Sequence, residues 1–152
     1  MAYKKTRDVA GLLLSRAFIR GINDVSPMKL QKLLYLANGW HLAIFDKPLV
    51  KEKVQAWKFG PVFPSLYRDF KRYGNQPIDP FWEDYNYSIG QDQPVVDLLD
   101  AVLDKYGHLS AIQLSRLTHQ EETPWSRTWD GTPDKSIPDE LIAEHFRSLA
   151  GH

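Results

Sequence analysis

The chain has 152 residues with no cysteine and equal numbers of basic and acidic residues, 19 of each, so a disulfide framework and thiolate chemistry are excluded. Its 43% hydrophobic content suits one ordinary domain, residues 1–152, with a sizeable core, and no run of about 18 apolar residues exists to span a membrane. The opening MAYKKTRDV lacks the apolar region of a secretory signal, which makes the cytoplasm the expected location. Net charge is zero but lopsided, at +9 through Tyr73 and −9 from Gly74 onward. Two readings follow: the halves pack together and their fields cancel, or a basic face (Lys29, Lys32, Lys51, Lys53, Lys58, Arg68, Lys71, Arg72) meets an acidic partner or a phosphate backbone.

In chain order, Val9, Leu12, Leu13 and Ala17 predict a first amphipathic helix, capped by Thr6 and closed by Gly21. Ser26-Pro27 starts the next: the hydroxyl accepts from first-turn N–H groups, and proline at the first helical position loses nothing. Leu30, Leu33, Leu34, Ala37, His41, Ile44 and Phe45 then recur at three- and four-residue steps, predicting a long helix with one apolar face that ends at Asp46 to Pro48. Between Leu49 and Phe59, Gln55, Trp57 and Phe59 alternate with Val54, Ala56 and Lys58, which suits a short β-hairpin or extended segment. Gly60-Pro61 should break any regular element. After Pro64, Leu66, Tyr67, Phe70 and Tyr73 sit at helical spacing, with Gly74 as the C′ residue.

Residues 75–93 hold Pro77, Pro80, Gly90 and several aromatics, and read as a partly irregular connection. Pro94 can open a helix striped by Val95, Leu98, Leu99, Val102, Leu103 and Tyr106. On its other side Asp97, Asp100 and Asp104 read as a solvated face in preference to a metal site. Ser110 and Gln113 fit a capping box for a helix through Leu114 and Leu117. Thr123-Pro124 begins a short turn carrying Trp125 and Trp129, and Leu141, Ile142, Phe146 and Leu149 form a last amphipathic helix. The fold class is mainly α, a compact helical domain with a short extended or hairpin segment near residues 49–59.

Three blocks of this sequence, KLQKLLYLANGWHLA, PLVKEKVQAWKFGPVFPSLYRDFKRYG and YGHLSAIQLSRLTHQEETPW, together resemble the Panacea domain family, also called SocA-like antitoxin domains, over roughly Asp8 to Phe146. The resemblance implies a mainly helical antitoxin that binds and neutralises a protein toxin encoded in the adjacent gene, often in a prophage or mobile element. One branch of the family acts instead as an adaptor that delivers its toxin to a protease, so a protease is a second partner on that alternative. Longer members carry an added DNA-binding domain for which this chain has no room, so operator binding is not carried over; nucleic acid is the less favoured partner, and oligomeric state is open.

Enzymatic chemistry finds little support. Thr118-His119-Gln120-Glu121-Glu122 clusters an imidazole with carboxylates, but no HExxH accompanies it, and His41, His108, His145 and His152 are scattered. A structural account suits it better: His119 against the last carbonyls of its helix, and Glu121 or Glu122 over the N-terminus beginning at Thr123-Pro124. No glycine-rich phosphate loop and no GxSxG elbow is present, so no catalytic residue, cofactor or metal is expected. Most aromatics should be core, since burying one contributes about 2–3 kcal/mol. The candidate partner contacts are Tyr35, Trp40, Trp57, Phe59, Pro61, Val62, Phe63, Tyr67, Arg68 and Trp125, because interfaces concentrate their energy in such anchors and two prolines pre-organise the Gly60 to Pro64 turn. Ser26, Gly60, Gly74, Ser110, His119, Glu122 and Pro124 are assigned to the scaffold.

Overall fold

A computed structural model describes residues 4–151; His152 lies outside the described residues. The fold is mainly α, with seven α-helices and a three-stranded antiparallel sheet among the described residues. Helix α1 (Thr6–Ile19) ends in a Schellman motif: Gly21 takes a φ of 73°, its N–H reaches the Phe18 carbonyl, and the Ile22 N–H reaches that of Ala17. Thr6 does not cap this helix. Lys5 is the N-cap residue and Thr6 the first residue of the helix, one position too late for a cap, and its hydroxyl donates to Glu52 at 2.7 Å.

Helix α2 (Pro27–Phe45) begins as expected, the Ser26 hydroxyl accepting from the Lys29 N–H. It is not, however, a helix with one apolar face. Every residue from Lys29 to Gly39 is buried, since α1, α3 (Pro64–Phe70), α4 (Gln93–Tyr106), α5 (Ala111–His119) and α7 (Asp139–Ala150) all pack against it. At Gly39 an added Cβ would overlap the Phe146 ring, so the missing side chain lets α7 approach α2 closely. The sequence pattern missed this because α2 also buries polar side chains, each holding a main-chain group elsewhere.

Strand β1 (Gln55–Trp57) pairs with β2 (Gly60–Val62) on one side and β3 (Lys135–Ser136) on the other, both antiparallel. Gly60-Pro61 therefore continues a strand where a break is expected. The register puts Trp57 opposite Gly60 across a two-residue loop and Ala56 opposite Pro61. In such a hairpin the closing pair exchanges hydrogen bonds and the next pair does not, so the amide that Pro61 lacks would face outward from an edge strand.

Gly74 follows a 3-10 turn (Lys71–Tyr73) with a φ of 59°. The stretch from 75 to 92 is irregular apart from a second 3-10 turn (Tyr87–Gln91), and its Trp82 stacks on Tyr85, whose ring covers Gly11 of α1. Helix α5 carries the capping box in full: the Ser110 hydroxyl accepts from the Gln113 N–H at 3.1 Å, and the Gln113 side chain accepts from the Ser110 N–H at 2.8 Å. Ser110→Ala is expected to cost about 1 kcal/mol in a denaturant titration, with an unchanged slope. Helix α6 (Pro124–Thr128) is capped by Thr123 and Ser126 reciprocally, not by Glu121 or Glu122; Glu122 is exposed at a φ of 63°.

Part of the charge asymmetry goes into ion pairs that join the two halves. Arg16 binds Asp100 through two contacts of 2.9 and 2.8 Å, Arg20 spans Asp100 and Asp104, Lys4 meets Asp92 and Lys53 meets Asp139. Asp97 accepts from Gln93. Lys29 and Lys32 belong to no basic face, because both lie in the core.

Candidate functional site

One exposed aromatic surface grows out of the hairpin. At its tip, Phe59 is 62% exposed; Tyr67, on α3, is 49% exposed and meets Trp57 edge to face at 5.3 Å. Lys58 lies over the Phe59 ring, Lys71 over the Tyr67 ring, and Arg68 is exposed beside them in sequence. Of the proposed contact residues, Trp57, Phe59, Tyr67 and Trp125 share this region, with Arg68 on the same short helix as Tyr67 and half-buried Val62 on β2. This combination of open aromatic rings and cations suits a protein partner bearing carboxylates and apolar side chains.

The tip is held from behind by groups distant in sequence. The Trp125 indole donates to the Trp57 carbonyl at 2.6 Å and stacks on Trp129, while the Ser115 hydroxyl donates to the Phe59 carbonyl at 3.0 Å. His119 does not serve the last carbonyls of α5. Its Nδ1 pairs with Ser115 and its ring meets Trp125, because α6 turns back across that end of the helix. Pro124, at the start of α6, is buried.

From below, α2 supplies a clamp. Gln31 takes both main-chain groups of Phe63, donating to its carbonyl at 3.0 Å and accepting from its N–H at 2.8 Å, so the amide substitutes for a neighbouring strand. Lys32 donates to the Pro61 carbonyl at 3.0 Å, and Asn38 accepts from the Leu49 N–H at 2.8 Å. Lys29 bridges Asp24 and the Gly107 carbonyl, both at 2.7 Å. No local spacing in the sequence marks these polar residues as supports for distant main chain. Only Ser115, four residues before His119 on one helix face, had a legible signal.

Three proposed contacts lie inside. Phe63 (0% exposed) and Pro61 are buried under the hairpin, and Tyr35 (2% exposed) packs edge to face on Phe146. They cannot face a partner, because each fills space between α2 and its neighbours. Trp40 is half-buried on the α4–α7 side, its indole donating to the Tyr106 hydroxyl at 3.0 Å.

Burial lowers the Lys32 pKa to about 8, from the ordinary value near 10.5. A base whose pKa falls on folding binds fewer protons in the folded state between those two values. Stability is therefore reduced below pH 8 and recovers as pH rises toward 10. Between pH 7 and 9 the wild type should gain about 1 kcal/mol relative to Lys32→Met, read as the difference between their two denaturation series.

A family model described as antitoxin SocA-like, Panacea domain, matches residues 30–126, a span that includes the hairpin, its supports from Gln31 to Trp125, and Phe59 and Tyr67. The chain belongs to this family. Among curated proteins, Antitoxin SocA of Caulobacter vibrioides (strain NA1000 / CB15N) is 34% identical over 154 residues, covering 93% of this chain and 81% of that protein. No solved structure matches the chain. For this Panacea domain, the matched span ends before α7, which packs on α2 from outside it.

Proposed function

We propose that this protein is an antitoxin that neutralises a cognate protein toxin, encoded in the adjacent gene, by direct stoichiometric binding, and that the toxin seats on the hairpin face. Membership of the SocA-like family and the relative's name support the antitoxin role. The contact surface rests on the open rings of Phe59 and Tyr67. Two large aromatic side chains held in water by a braced scaffold lose little entropy when a partner covers them, and Lys58, Arg68 and Lys71 around them select carboxylates. Binding of this kind requires no turnover and no cofactor.

Co-expression with the product of the adjacent reading frame tests the reading. Growth rescue, with both chains co-purifying and toxin abundance undiminished, is the expected result. Phe59→Asp should leave the fold intact and weaken the complex at least about 30-fold, as for an interface anchor worth about 2 kcal/mol. A toxin that disappears in the presence of this protein would replace occlusion by delivery to a protease. Undiminished affinity in a Phe59→Asp/Tyr67→Ala double variant would move the contact off the hairpin.

A further inference from the structure

An open cleft of about 730 Å3 lies between the start of α1, the loop residues Lys51 and Glu52, and α3. The cations Lys4, Lys5, Arg7, Lys51 and Arg68 border it, against the carboxylates of Glu52 and Asp69 alone. Both carboxylates are already engaged. Glu52 accepts from the Thr6 hydroxyl and from the Ser65 N–H and hydroxyl, and Arg7 donates to both oxygens of Asp69. Of the cations, Lys4 pairs with Asp92, and Arg7 with Asp69 and Asp84. Lys5, Lys51 and Arg68 are left over: all three are exposed, and none makes a hydrogen bond or ion pair through its side chain among the described residues. A cleft with a surplus of one sign focuses its field and draws in the opposite charge.

The cleft is braced before any partner arrives. The Lys4 N–H donates to the Leu49 carbonyl at 3.1 Å, Glu52 ties the first residue of α1 to α3, and the Arg7–Asp69 pair joins the same two helices. Little backbone ordering is therefore left to be done on binding. The cleft is also continuous with the hairpin face. Arg68 borders it and follows the exposed Tyr67, and Lys71, three residues on, lies over the Tyr67 ring.

We propose that this cleft receives an acidic peptide segment of the toxin whose body covers the hairpin face, its carboxylates pairing with Lys5, Lys51 and Arg68. The inference rests on the antitoxin reading and adds to it the charge of the partner and a second place of contact. Carboxylates on a peptide suit the cleft better than a nucleic-acid backbone does. A strand carries a phosphate at every nucleotide and would run against Asp69 and Asp84, the latter 77% exposed, whereas a peptide can place its charges only where the free cations stand.

Fluorescence anisotropy with labelled hexaglutamate tests the cleft directly, with oligothymidylate as the phosphate-backbone probe. Hexaglutamate is expected to bind in the submillimolar range at about 50 mM salt and to be released at about 500 mM. Lys5→Glu/Lys51→Glu should weaken it at least about tenfold without lowering the melting temperature, since both positions are exposed. Lys5→Arg/Lys51→Arg, and Lys105→Glu outside the cleft, should retain the binding. In the toxin complex the same charge reversal should slow association at least about tenfold and flatten its salt dependence. No hexaglutamate binding at millimolar concentration, affinity unchanged by the charge reversal, or tighter binding of oligothymidylate would each overturn the proposal. So would a toxin complex that Phe59→Asp weakens and the charge reversal leaves untouched, with the antitoxin reading intact. Failure of the wild-type chain to bind the toxin at all would remove that reading and this proposal together.

Discussion

Replacing Phe146 by alanine is expected to destabilise the protein by about 3–5 kcal/mol, the usual range for emptying a buried phenylalanine site. The ring is 1% exposed and sits at the junction of α2 and α7, edge to face with Tyr35 at 5.9 Å and with Trp40 at 5.2 Å. It also covers Gly39, where no side chain from α2 stands ready to fill the void. Full relaxation is therefore blocked on the α2 side, and the cost should fall in the upper part of the range. For a chain of this length the melting temperature should drop by roughly 6–20 °C. Phe146→Leu keeps most of the volume and should retain most of the stability. A loss below 1 kcal/mol for the alanine variant would mean that α7 contributes little to the core.

Gly60→Ala is expected to cost about 2–3 kcal/mol and, on the function proposed above, to weaken toxin binding with it. Gly60 has a φ of 120°, a backbone conformation that side-chain-bearing residues adopt only with strain of about 1–3 kcal/mol. The new methyl would also stand 2.9 Å from the Lys32 ammonium and 3.5 Å from the His119 Cβ. Lys32 is buried and already bonded to the neighbouring Pro61 carbonyl, so its head group can yield only by giving up that bond. The crowding term can be separated from the backbone term. In a Lys32→Met background the same substitution should cost less, with a coupling of about 0.5–1 kcal/mol between neighbouring sites. An additive pair would assign the whole cost to backbone strain.

Local chemistry made several elements legible in the sequence. Ser26-Pro27, the Ser110/Gln113 box and Gly21 act through main-chain groups within a few residues, and each stands at the helix end expected of it. The hairpin was half legible. Alternation across 54–59 marked an extended segment, but Gly60-Pro61 reads as a break unless the register shows that Pro61 has no amide bond to make. The candidate contacts divided along the same line: Phe59, Tyr67 and Arg68 are exposed, while Tyr35, Pro61 and Phe63 are buried. An aromatic ring is compatible with either environment, and its own spacing does not say which it has.

By itself the sequence determined the helical class, the helix ends at Ser26-Pro27, Ser110/Gln113 and Gly21, and the family, because these depend on residue types at short, fixed separations. Tertiary structure alone decided that α2 is enclosed on all sides, that Lys29, Gln31, Lys32 and Asn38 hold the backbone of other segments, and that the hairpin tip alone leaves Phe59 in water. Burial depends on which surfaces come together around a residue. A polar side chain in an apolar helix is therefore read as solvent-facing until the carbonyl or amide that it serves has been placed beside it.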